Sequence, residues 1–404
     1  MSGSEEEATL RISSRVVALG ATSILVFAAC SSSGATTAPS AAVSAAPTDA
    51  MSEAPSVAPS EGAASAEPSL NTAWKACVAF DTGGLGDKGF NDLAKKGLDD
   101  AKALGYDTAF SEAKGATDYA SNIQRLIDES CQTIVTVGFN QTQATKDATI
   151  ANPNIAFGQV DTNWDPSGPD GKTGTADDVP IPANFTGLSF QIDQAGMLAG
   201  YLAAGFSTSG KIGTYGGQQF PGVTLFMDGM YAGIKYHNEK KGTTASLLGW
   251  DAVKQTGTFV GGSNPWGDSA KGEQLAQTFL DQGVDIVQPV SGGTGNGTIK
   301  AMMAAGKYAM GVDSDQALSL PDYAPAIITS SQKVIDVAVL DLIKKNSGGD
   351  LGGEDYVGTL ANNGVGLAPY HDFDSKIDPA LSTEIDQLKA DIASGTVKVS
   401  DYLK

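Results

Sequence analysis

The sequence predicts an α/β protein made of two doubly wound lobes, each with a parallel sheet covered by helices on both faces. The chain has 404 residues, of which 41% are hydrophobic and 18% charged, and this suffices for two compact domains. From Trp74 onwards, short β-rich runs alternate with segments whose apolar residues recur at helical spacing. The alternation occurs in two series, separated by a polar segment at 163–182, and each series predicts one lobe.

The first series predicts four strands joined by three helices. Its strands are expected at 75–81, 108–110, 133–137 and 155–160, and its helices at 90–104, 119–129 and 142–151. In the second series a helix comes first. Its helices are expected at 191–204, 225–238, 270–282 and 297–305, and its strands at 211–215, 244–248, 285–289 and 308–312.

Ligands of doubly wound sheets bind beyond the carboxyl ends of the strands. The residues at those ends are therefore the first candidates for a binding site. We expect them to line one cleft: Asp81, Gly138, Asp161, Gly216, Ser291 and Asp313.

Residues 1–29 have the layout of a signal peptide. Arg11 and Arg15 precede an apolar run that is too short to span a bilayer and that ends at Cys30. Small residues before a cysteine resemble a bacterial lipobox, so we expect cleavage before Cys30 and its acylation. The alternative is an ordinary signal peptide with an incidental cysteine.

Residues 30–73 consist almost wholly of small and polar residues, which cannot build a core and predict a disordered linker. No later run is long and apolar enough to span a bilayer. We therefore expect the protein on the extracytoplasmic face of the cell membrane, held there by its lipid anchor alone.

Two further cysteines, Cys77 and Cys131, lie at or just before predicted strands. If those strands are parallel neighbours, the two thiols are close, and an oxidising compartment permits a disulfide between them. The alternative is a pair of small buried hydrophobic side chains.

Charge argues against some partners. The formal net charge is −20, which repels phosphate backbones and argues against nucleic acid as a partner.

The segment 163–182 carries four aspartates that could bind Ca²⁺: Asp165, Asp170, Asp177 and Asp178. Their spacing does not fit an EF-hand loop, so we expect a hydrated surface loop and no metal.

Two glycine-rich motifs suggest nucleotide chemistry but lack its context. Gly84, Gly86 and Gly89 form the dinucleotide spacing between a strand and a helix, yet Asp87 lies where a pyrophosphate would approach. Residues 205–211 nearly spell a P-loop, but they follow a helix, and no Ser or Thr follows the lysine. Neither motif predicts a cofactor.

Catalysis finds little support in the sequence. Only two histidines occur, His237 and His371, and we expect the first on an exposed helix face. No G-x-S-x-G or H-E-x-x-H motif is present. We therefore expect a protein that is not an enzyme.

Several ordered segments together resemble one known family. The first of them, residues 81–91 (DTGGLGDKGFN), resembles the opening signature of the basic membrane lipoprotein family, which are bacterial nucleoside-binding lipoproteins of ABC uptake systems. Further segments resemble the family at 184–204, 291–297, 311–316, 329–333, 364–370 and 392–397. The resemblance runs from about Cys77 to the last residues.

The resemblance implies the type I periplasmic-binding-protein fold, in which three crossovers join the two lobes. They are expected near 185–191, 311–315 and 346–353. The N-terminal lobe would then comprise 74–190 plus 312–346, and the C-terminal lobe 191–311 plus 347–404.

The resemblance also implies roles in base recognition. Phe90 matches an aromatic residue that stacks on the purine, although it could instead be a hydrophobic staple at a helix start. Asp81 and Asn91 match groups that bond the base edge, although Asp81 could tie up loop amides and Asn91 could be an N-cap. Either Phe259 or Trp266 could be the second stacking ring.

For the sugar, the resemblance implies that Asp161, Asp313 and Lys333 grip the ribose hydroxyls. The alternative is a buried ion pair that holds the hinge. The function implied is capture of a nucleoside, expected to be a purine nucleoside, by a monomer that delivers it to an ABC permease and its ATPase. Alternatives are a receptor for a sugar or another small polar solute, a signalling module without a permease, and an exported nucleosidase or glycosidase acting through Asp81 and Asp161.

Overall fold

The computed structural model describes residues 71–167 and 171–404. The expected signal peptide, the lipidation site Cys30 and most of the expected linker lie outside these residues. None of the helices in the described ranges combines the length and apolarity that a membrane crossing requires.

The secondary structure of the described residues alternates as the sequence predicts. The strands are β1 (Lys75–Phe80), β2 (Asp107–Glu112), β3 (Thr133–Val137), β4 (Ala156–Val160), β5 (Phe185–Phe190), β6 (Lys211–Gly216), β7 (Ser246–Leu248), β8 (Trp250–Asp251), β9 (Thr256–Gly257), β10 (Ile286–Val290), β11 (Tyr308–Asp313), β12 (Ile327–Lys333), β13 (Tyr356–Gly358) and β14 (Val365–Leu367). The helices are α1 (Phe90–Ala103), α2 (Tyr119–Asp128), α3 (Thr142–Ala151), α4 (Ile192–Phe206), α5 (Pro221–Lys241), α6 (Ser269–Asp281), α7 (Gly293–Ala304), α8 (Gln316–Ser319), α9 (Ile335–Ser347) and α10 (Pro379–Ala393).

The N-terminal lobe is built on a six-stranded sheet in the order β13-β5-β4-β3-β1-β2, with every pair parallel. The strands β3 and β4 are buried along their whole length, as apolar strands covered by helices on both faces should be. A disulfide joins Cys77 in β1 to Cys131, just before the neighbouring β3, with Cα atoms 5.9 Å apart.

The C-terminal lobe repeats this plan in the order β14-β12-β11-β10-β6-β7. Its strands are parallel except for β14, which runs antiparallel to β12. A short antiparallel pair, β8 with β9, forms a separate two-stranded sheet.

The chain crosses between the lobes three times, and two crossings lie later than predicted. The first follows Phe190, where β5 of one sheet gives way to α4. The second follows Lys333 rather than falling within 311–315, because β11 and β12 both belong to the second sheet. The third lies between β13 and β14 rather than within 346–353. The lobes are therefore 75–190 with 335–358, and 192–333 with 365–404.

The corrected second crossing has a physical reason in the sequence of β12. This strand, IITSSQK, is almost wholly buried although its centre is polar. Its polar side chains form hydrogen bonds with other segments of the protein: the Thr329 hydroxyl donates to the Ala368 carbonyl, and the Ser331 hydroxyl accepts from the Gln288 amide. Polar side chains whose hydrogen bonds are satisfied can lie in a buried strand. A search for apolar runs in the sequence does not find such a strand.

Helix packing assigns α4 and α9 to their lobes. A Cβ at Gly200 of α4 would lie 2.2 Å from the Met230 carbonyl oxygen of α5, so the two backbones touch. In the other lobe, a Cβ at Gly97 of α1 would lie 2.5 Å from the Asp336 carbonyl oxygen of α9. The helix α9 thus follows a strand of the C-terminal lobe but packs in the N-terminal lobe.

The polar segment after β4 is organised by its own turns. The Asp165 carboxylate accepts from the Ser167 amide, and the Asp178 carboxylate accepts from the Gly174 amide. The Trp164 indole is buried and donates to the Val179 carbonyl. Of the candidate calcium ligands, Asp170 lies outside the described residues, and the described ones form no cluster of three or more side chains placed to hold a metal ion.

Candidate functional site

The carboxyl ends of both sheets border one cleft, the kind of concave site in which small molecules bind. Seven of the eight ligand-binding residues expected from the sequence line it. They are Asp81, Phe90, Asn91, Asp161, Trp266, Asp313 and Lys333.

Asp81 follows β1 and is buried, with 7% of its surface exposed. Its Oδ1 accepts from the Gly83 amide at 2.8 Å and from Asn91 Nδ2 at 3.0 Å. Burial raises the pKa of Asp81 to about 6, and these two hydrogen bonds oppose the rise. Asp81 therefore does tie up a loop amide, while its carboxylate also borders the cleft.

Asp87 caps the start of α1. Its carboxylate accepts from the backbone amides of Gly89 and Asn91 at 2.9 Å each, and from Asn91 Nδ2 at 3.0 Å. The amides that would cradle a pyrophosphate in a dinucleotide site are thus already bound to a carboxylate. The capping role that Asn91 could have had belongs to Asp87.

The P-loop-like segment at the end of α4 is similarly occupied. The buried carboxylate of Asp285 accepts from the Ser207 hydroxyl and from the amides of Thr208 and Ser209. Those amides are not available to a phosphate group.

Asp161, Asp313 and Lys333 form a buried charged cluster between the lobes. Lys333, with a side chain 2% exposed, lies 2.6 Å from Asp161 Oδ2 and 3.8 Å from Asp313 Oδ1. Its ammonium also donates to the Gly222 carbonyl at 3.1 Å, at the start of α5. The ion pair joins the last residue of β12 to the residue after β4, so it spans the two lobes.

Charge in this cluster is only partly balanced. Burial raises the pKa of Asp313 to about 7, and burial also raises that of Asp161, while the Lys333 ammonium opposes both shifts. Among the described residues, Asp313 Oδ1 is a buried oxygen with no hydrogen-bond partner. A ligand hydroxyl would satisfy it, whereas leaving it unpaired is costly.

Two aromatic side chains expected from the sequence border the cleft. The Phe90 ring lies at the start of α1, with its centroid 5.3 Å from Lys333 Nζ. Trp266 lies over Gly217, where a Cβ would come within 2.2 Å of the indole ring. The glycine after β6 therefore makes room for the indole.

Phe259 does not line the cleft, which corrects its candidacy as a stacking residue. The backbone on either side of it is tied to β6: the Gly216 amide donates to the Thr258 carbonyl, and the Val260 amide donates to the Gly216 carbonyl. The Phe259 ring packs edge-on against Trp250 instead, with centroids 6.0 Å apart. The inserted residues after it carry Trp266 to the cleft.

Three further aromatic residues line the cleft although the sequence analysis does not identify them as site residues. The rings of Phe139 and Phe220, one from each lobe, pack with centroids 4.8 Å apart. Phe139 follows the strand-end Gly138, so the rule that found the strand-end residues could have found it. Phe226 also lines the cleft, 4.9 Å from Lys333 Nζ.

The histidines give no catalytic arrangement. His237, expected to be exposed, is buried with 4% exposure, and its Nδ1 lies 3.0 Å from the Thr243 hydroxyl. His371 Nε2 lies 2.7 Å from Asp315 Oδ2, and neither residue lines the cleft. What the cleft offers is stacking surface, carboxylates and one ammonium, a set suited to holding a polar ligand with an aromatic part.

Comparison with known proteins agrees with this description. The family model Bmp, described as ABC transporter substrate-binding protein PnrA-like, matches residues 75–401. Basic membrane protein D of Borreliella burgdorferi (strain JD1) is 27% identical over 341 residues, which cover 83% of this chain and 91% of that protein. An uncharacterised lipoprotein of Pyrococcus abyssi is 30% identical over 311 residues, covering 74% of this chain and 69% of that protein.

A solved structure supports the fold. The ABC transporter solute-binding protein from Aeropyrum pernix K1 matches with a TM-score of 0.69 and 24% identity, over 80% of this chain and 92% of that chain. Together with the two parallel sheets, this confirms the type I periplasmic-binding fold predicted from the sequence.

Proposed function

Because the chain belongs to the Bmp family of PnrA-like ABC transporter substrate-binding proteins, we propose that it captures nucleosides, with purine nucleosides preferred, and delivers them to a membrane permease. The family and the fold are those of solute-binding proteins rather than enzymes. Binding alone is therefore required of the cleft.

One observation carries the nucleoside proposal: a stacking ring and a carboxylate–ammonium–carboxylate cluster border the same cleft. The Phe90 ring offers a planar face to a base. Beside it, Asp161 and Asp313 accept hydrogen bonds from vicinal hydroxyls, and Lys333 donates and balances their charge. A nucleoside carries both of these parts in one molecule.

The cluster also accounts for closure of the lobes on a ligand. Lys333 and Asp161 come from different lobes and form a direct ion pair, so a ribose bound against this pair would contact both lobes. A ligand that contacts both lobes favours the closed arrangement in proportion to those contacts. In this proposal, Lys333 and Asp161 both form the ion pair between the lobes and bind the ribose.

The proposal is tested by thermal unfolding of the purified protein with nucleosides, free bases and sugars. At a hundredfold excess over the dissociation constant, a ligand adds about 2.7 kcal/mol to the free energy of unfolding, which raises Tm by several degrees. We expect this rise with purine nucleosides and a much smaller one for the Phe90→Ala variant. A rise with sugars alone, unaffected by Phe90→Ala, would sink the nucleoside proposal and leave a sugar receptor.

Anchoring and delivery complete the proposal. Cys30 would carry the lipid that holds the protein on the extracytoplasmic face, as the lipoprotein naming of a relative suggests. Membrane fractionation tests this: Cys30→Ala should move the protein from the membrane fraction to the soluble fraction. A variant that stays with the membrane would contradict lipid anchoring at this position.

A further inference from the structure

We infer that the protein carries a latch that holds its lobes together without touching the ligand. In this Lys88 latch, the backbone carbonyl of Lys88 in the N-terminal lobe accepts hydrogen bonds from two hydroxyls of the C-terminal lobe. The Ser314 hydroxyl donates at 2.6 Å and the Ser319 hydroxyl at 2.8 Å. A carbonyl oxygen has two lone pairs, so the two serines use both of them. The latch favours closure of the lobes whatever solute the cleft binds.

The N-terminal lobe presents the Lys88 carbonyl on a turn that it makes rigid by itself. Lys88 has a φ of 64°, a left-handed conformation that is uncommon outside glycine and that persists only with support from its surroundings. The support comes from Asp92 in the first turn of α1, whose carboxylate accepts from the amides of Gly86 at 2.7 Å and Lys88 at 3.1 Å. The turn therefore keeps its shape when the lobes move apart.

The C-terminal lobe fixes the two serines in a similar way. Ser314 follows β11, and Ser319 is the last residue of α8. Between them lies the buried Gln316, whose side chain accepts from the Val312 amide at 3.0 Å and whose own amide donates to the Ser330 hydroxyl at 3.1 Å. These bonds attach the segment to β11 and β12, so both hydroxyls are positioned before the lobes meet.

Two weaker contacts adjoin the latch. Asn296 Nδ2, from α7, donates to the Asp87 carbonyl at 3.4 Å. A Cβ at Gly89 would lie 3.6 Å from the Cβ of Asp313, an ordinary van der Waals distance, so the loop before α1 lies against the end of β11. The C-terminal lobe therefore contacts residues 87–89 from more than one element.

The latch lies apart from the ligand-binding residues and from the crossings between the lobes. Lys88, Ser314 and Ser319 are not among the residues that line the cleft. The three crossings leave from β5, β12 and β13, at one edge of each sheet. In the N-terminal sheet, β3 and β4 separate that edge from β1, which leads to Lys88. Rotation of the lobes about the crossings would therefore break the two hydrogen bonds.

A contact that forms only in the closed arrangement increases the share of closed molecules according to its free energy. One exposed hydrogen bond favours closure by about two- to tenfold, and the two serine hydroxyls together by about tenfold. The ligand-free protein then populates the closed arrangement to a measurable extent. Because the latch does not touch the ligand, it strengthens the binding of every enclosed solute by the same factor.

The test measures the distance between the lobes in the ligand-free full chain. Spin labels are placed by Lys114→Cys and Lys254→Cys, at exposed positions beyond β2 and β7, the strands at the sheet edges remote from the crossings. The Cys30→Ala background leaves no other free thiol, because Cys77 and Cys131 are joined. After co-purified ligand has been removed by refolding, pulsed double electron–electron resonance should show a short and a long separation, for closed and open molecules.

Variants of the two serines should shift this distribution. In the double variant Ser314→Ala, Ser319→Ala, the ratio of closed to open molecules should fall about tenfold. The single variant Ser319→Ala should have a smaller effect, because Ser314 still donates to the Lys88 carbonyl, and Ser319→Thr, which keeps the hydroxyl, should restore the ratio. Ser394→Ala is the matched control, because this exposed hydroxyl donates to the Asp391 carbonyl within its own lobe.

Two results would overturn the latch. One is a ligand-free protein that shows the long separation alone, and the other is a folded double variant, as judged by Tm, whose ratio equals that of the unmodified protein. Nucleosides play no part in this measurement. A failure of the proposed nucleoside function would therefore leave the result intact, and a failure of the latch would leave the nucleoside proposal intact.

Discussion

The two lobes have the same strand order, and at one position they use the same residue for the same purpose. β4 and β11 occupy equivalent places in their sheets. Their ends carry Asp161 and Asp313, with φ of 63° and 64°, a left-handed conformation that Asp tolerates better than most residues. The matched turns bring both carboxylates to Lys333. The comparison shows a backbone feature shared by two lobes that differ in sequence.

At other equivalent strand ends the two lobes carry different residues, so each lobe contributes different chemical groups to the cleft. β1 is followed by Asp81, but the equivalent β6 is followed by Gly217, whose missing side chain leaves room for Trp266. β5 ends in Phe190, but the equivalent β12 ends in Lys333. At these positions the N-terminal lobe supplies the Asp81 carboxylate to the cleft, and the C-terminal lobe supplies the Lys333 ammonium and the Trp266 indole.

Removing the cation that both lobes share should destabilise the protein more than any other change considered. In Lys333→Met, the carboxylates of Asp161 and Asp313 lose their buried partner, which costs about 3–5 kcal/mol and lowers Tm by about 10 °C. The loss should be smaller at pH 5.5 than at pH 8, because protonation relieves the unpaired carboxylates. Lys254→Met, which removes an exposed ion pair, is the control and should leave Tm unchanged. An equally stable Lys333→Met would show that the cluster does not hold the lobes.

The disulfide distinguishes the lobes in stability. Cys77 and Cys131 are 54 residues apart, and removing such a cross-link costs about 4 kcal/mol by the loop-closure model. The double variant Cys77→Ala, Cys131→Ala should lose this amount in denaturant unfolding. Native-state hydrogen exchange should rise in β1 and β3 but not in β6 and β10. Equal increases in both sheets would mean that the lobes unfold as one unit.

A methyl group at the glycine after β6 tests why the lobes differ there. In Gly217→Ala, the new Cβ would meet the Trp266 ring, so overpacking should cost about 1–3 kcal/mol and weaken nucleoside binding as the indole shifts. Gly366→Ala is the matched control, because nothing lies within 4 Å of a Cβ there. Full affinity in Gly217→Ala would show that the indole takes no part in the site.

Mild acidification should raise the free energy of unfolding by a modest amount. The pKa of Asp81 is raised to about 6 and that of Asp313 to about 7, so the folded protein binds more protons than the unfolded chain at these pH values. Stability without ligand should therefore increase by about 1 kcal/mol between pH 7.5 and pH 6. Nucleoside affinity should fall over the same range, because protonation removes acceptors. If Tm and nucleoside affinity both rose, or both fell, between pH 7.5 and pH 6, the raised pKa values of Asp81 and Asp313 would be contradicted.

The sequence predicts the sheets well because alternating strands and helices follow from local periodicity. It also points to the cleft, since strand ends mark the ligand edge of such sheets, and Asp81, Asp161 and Asp313 all lie there. The placement of Asp87 as a cap follows from its position before a helix, but its grip on Asn91 depends on a three-dimensional turn.

What sequence could not provide depends on contacts between distant segments. β12 has a polar centre whose hydrogen-bond partners, Gln288 and Ala368, come from distant segments, so local sequence does not identify this strand as part of the second sheet. Phe259 and Trp266 are both plausible stacking rings by spacing. Only the pairing of Thr258 and Val260 with Gly216 decides which ring reaches the cleft.

The placement of α9 sets an order for folding. A chain that emerges from its N-terminus, at the ribosome or across a membrane, presents 75–190 long before α9 and β13, which complete that lobe. Until then, the face of α1 at Gly97 lacks its contact with α9, and the edge of β5 lacks its pairing with β13. Exposed surfaces of this kind promote aggregation or chaperone binding. A fragment cut at Lys333 would keep this exposed state permanently, so neither lobe should be obtainable as a simple truncation of the chain.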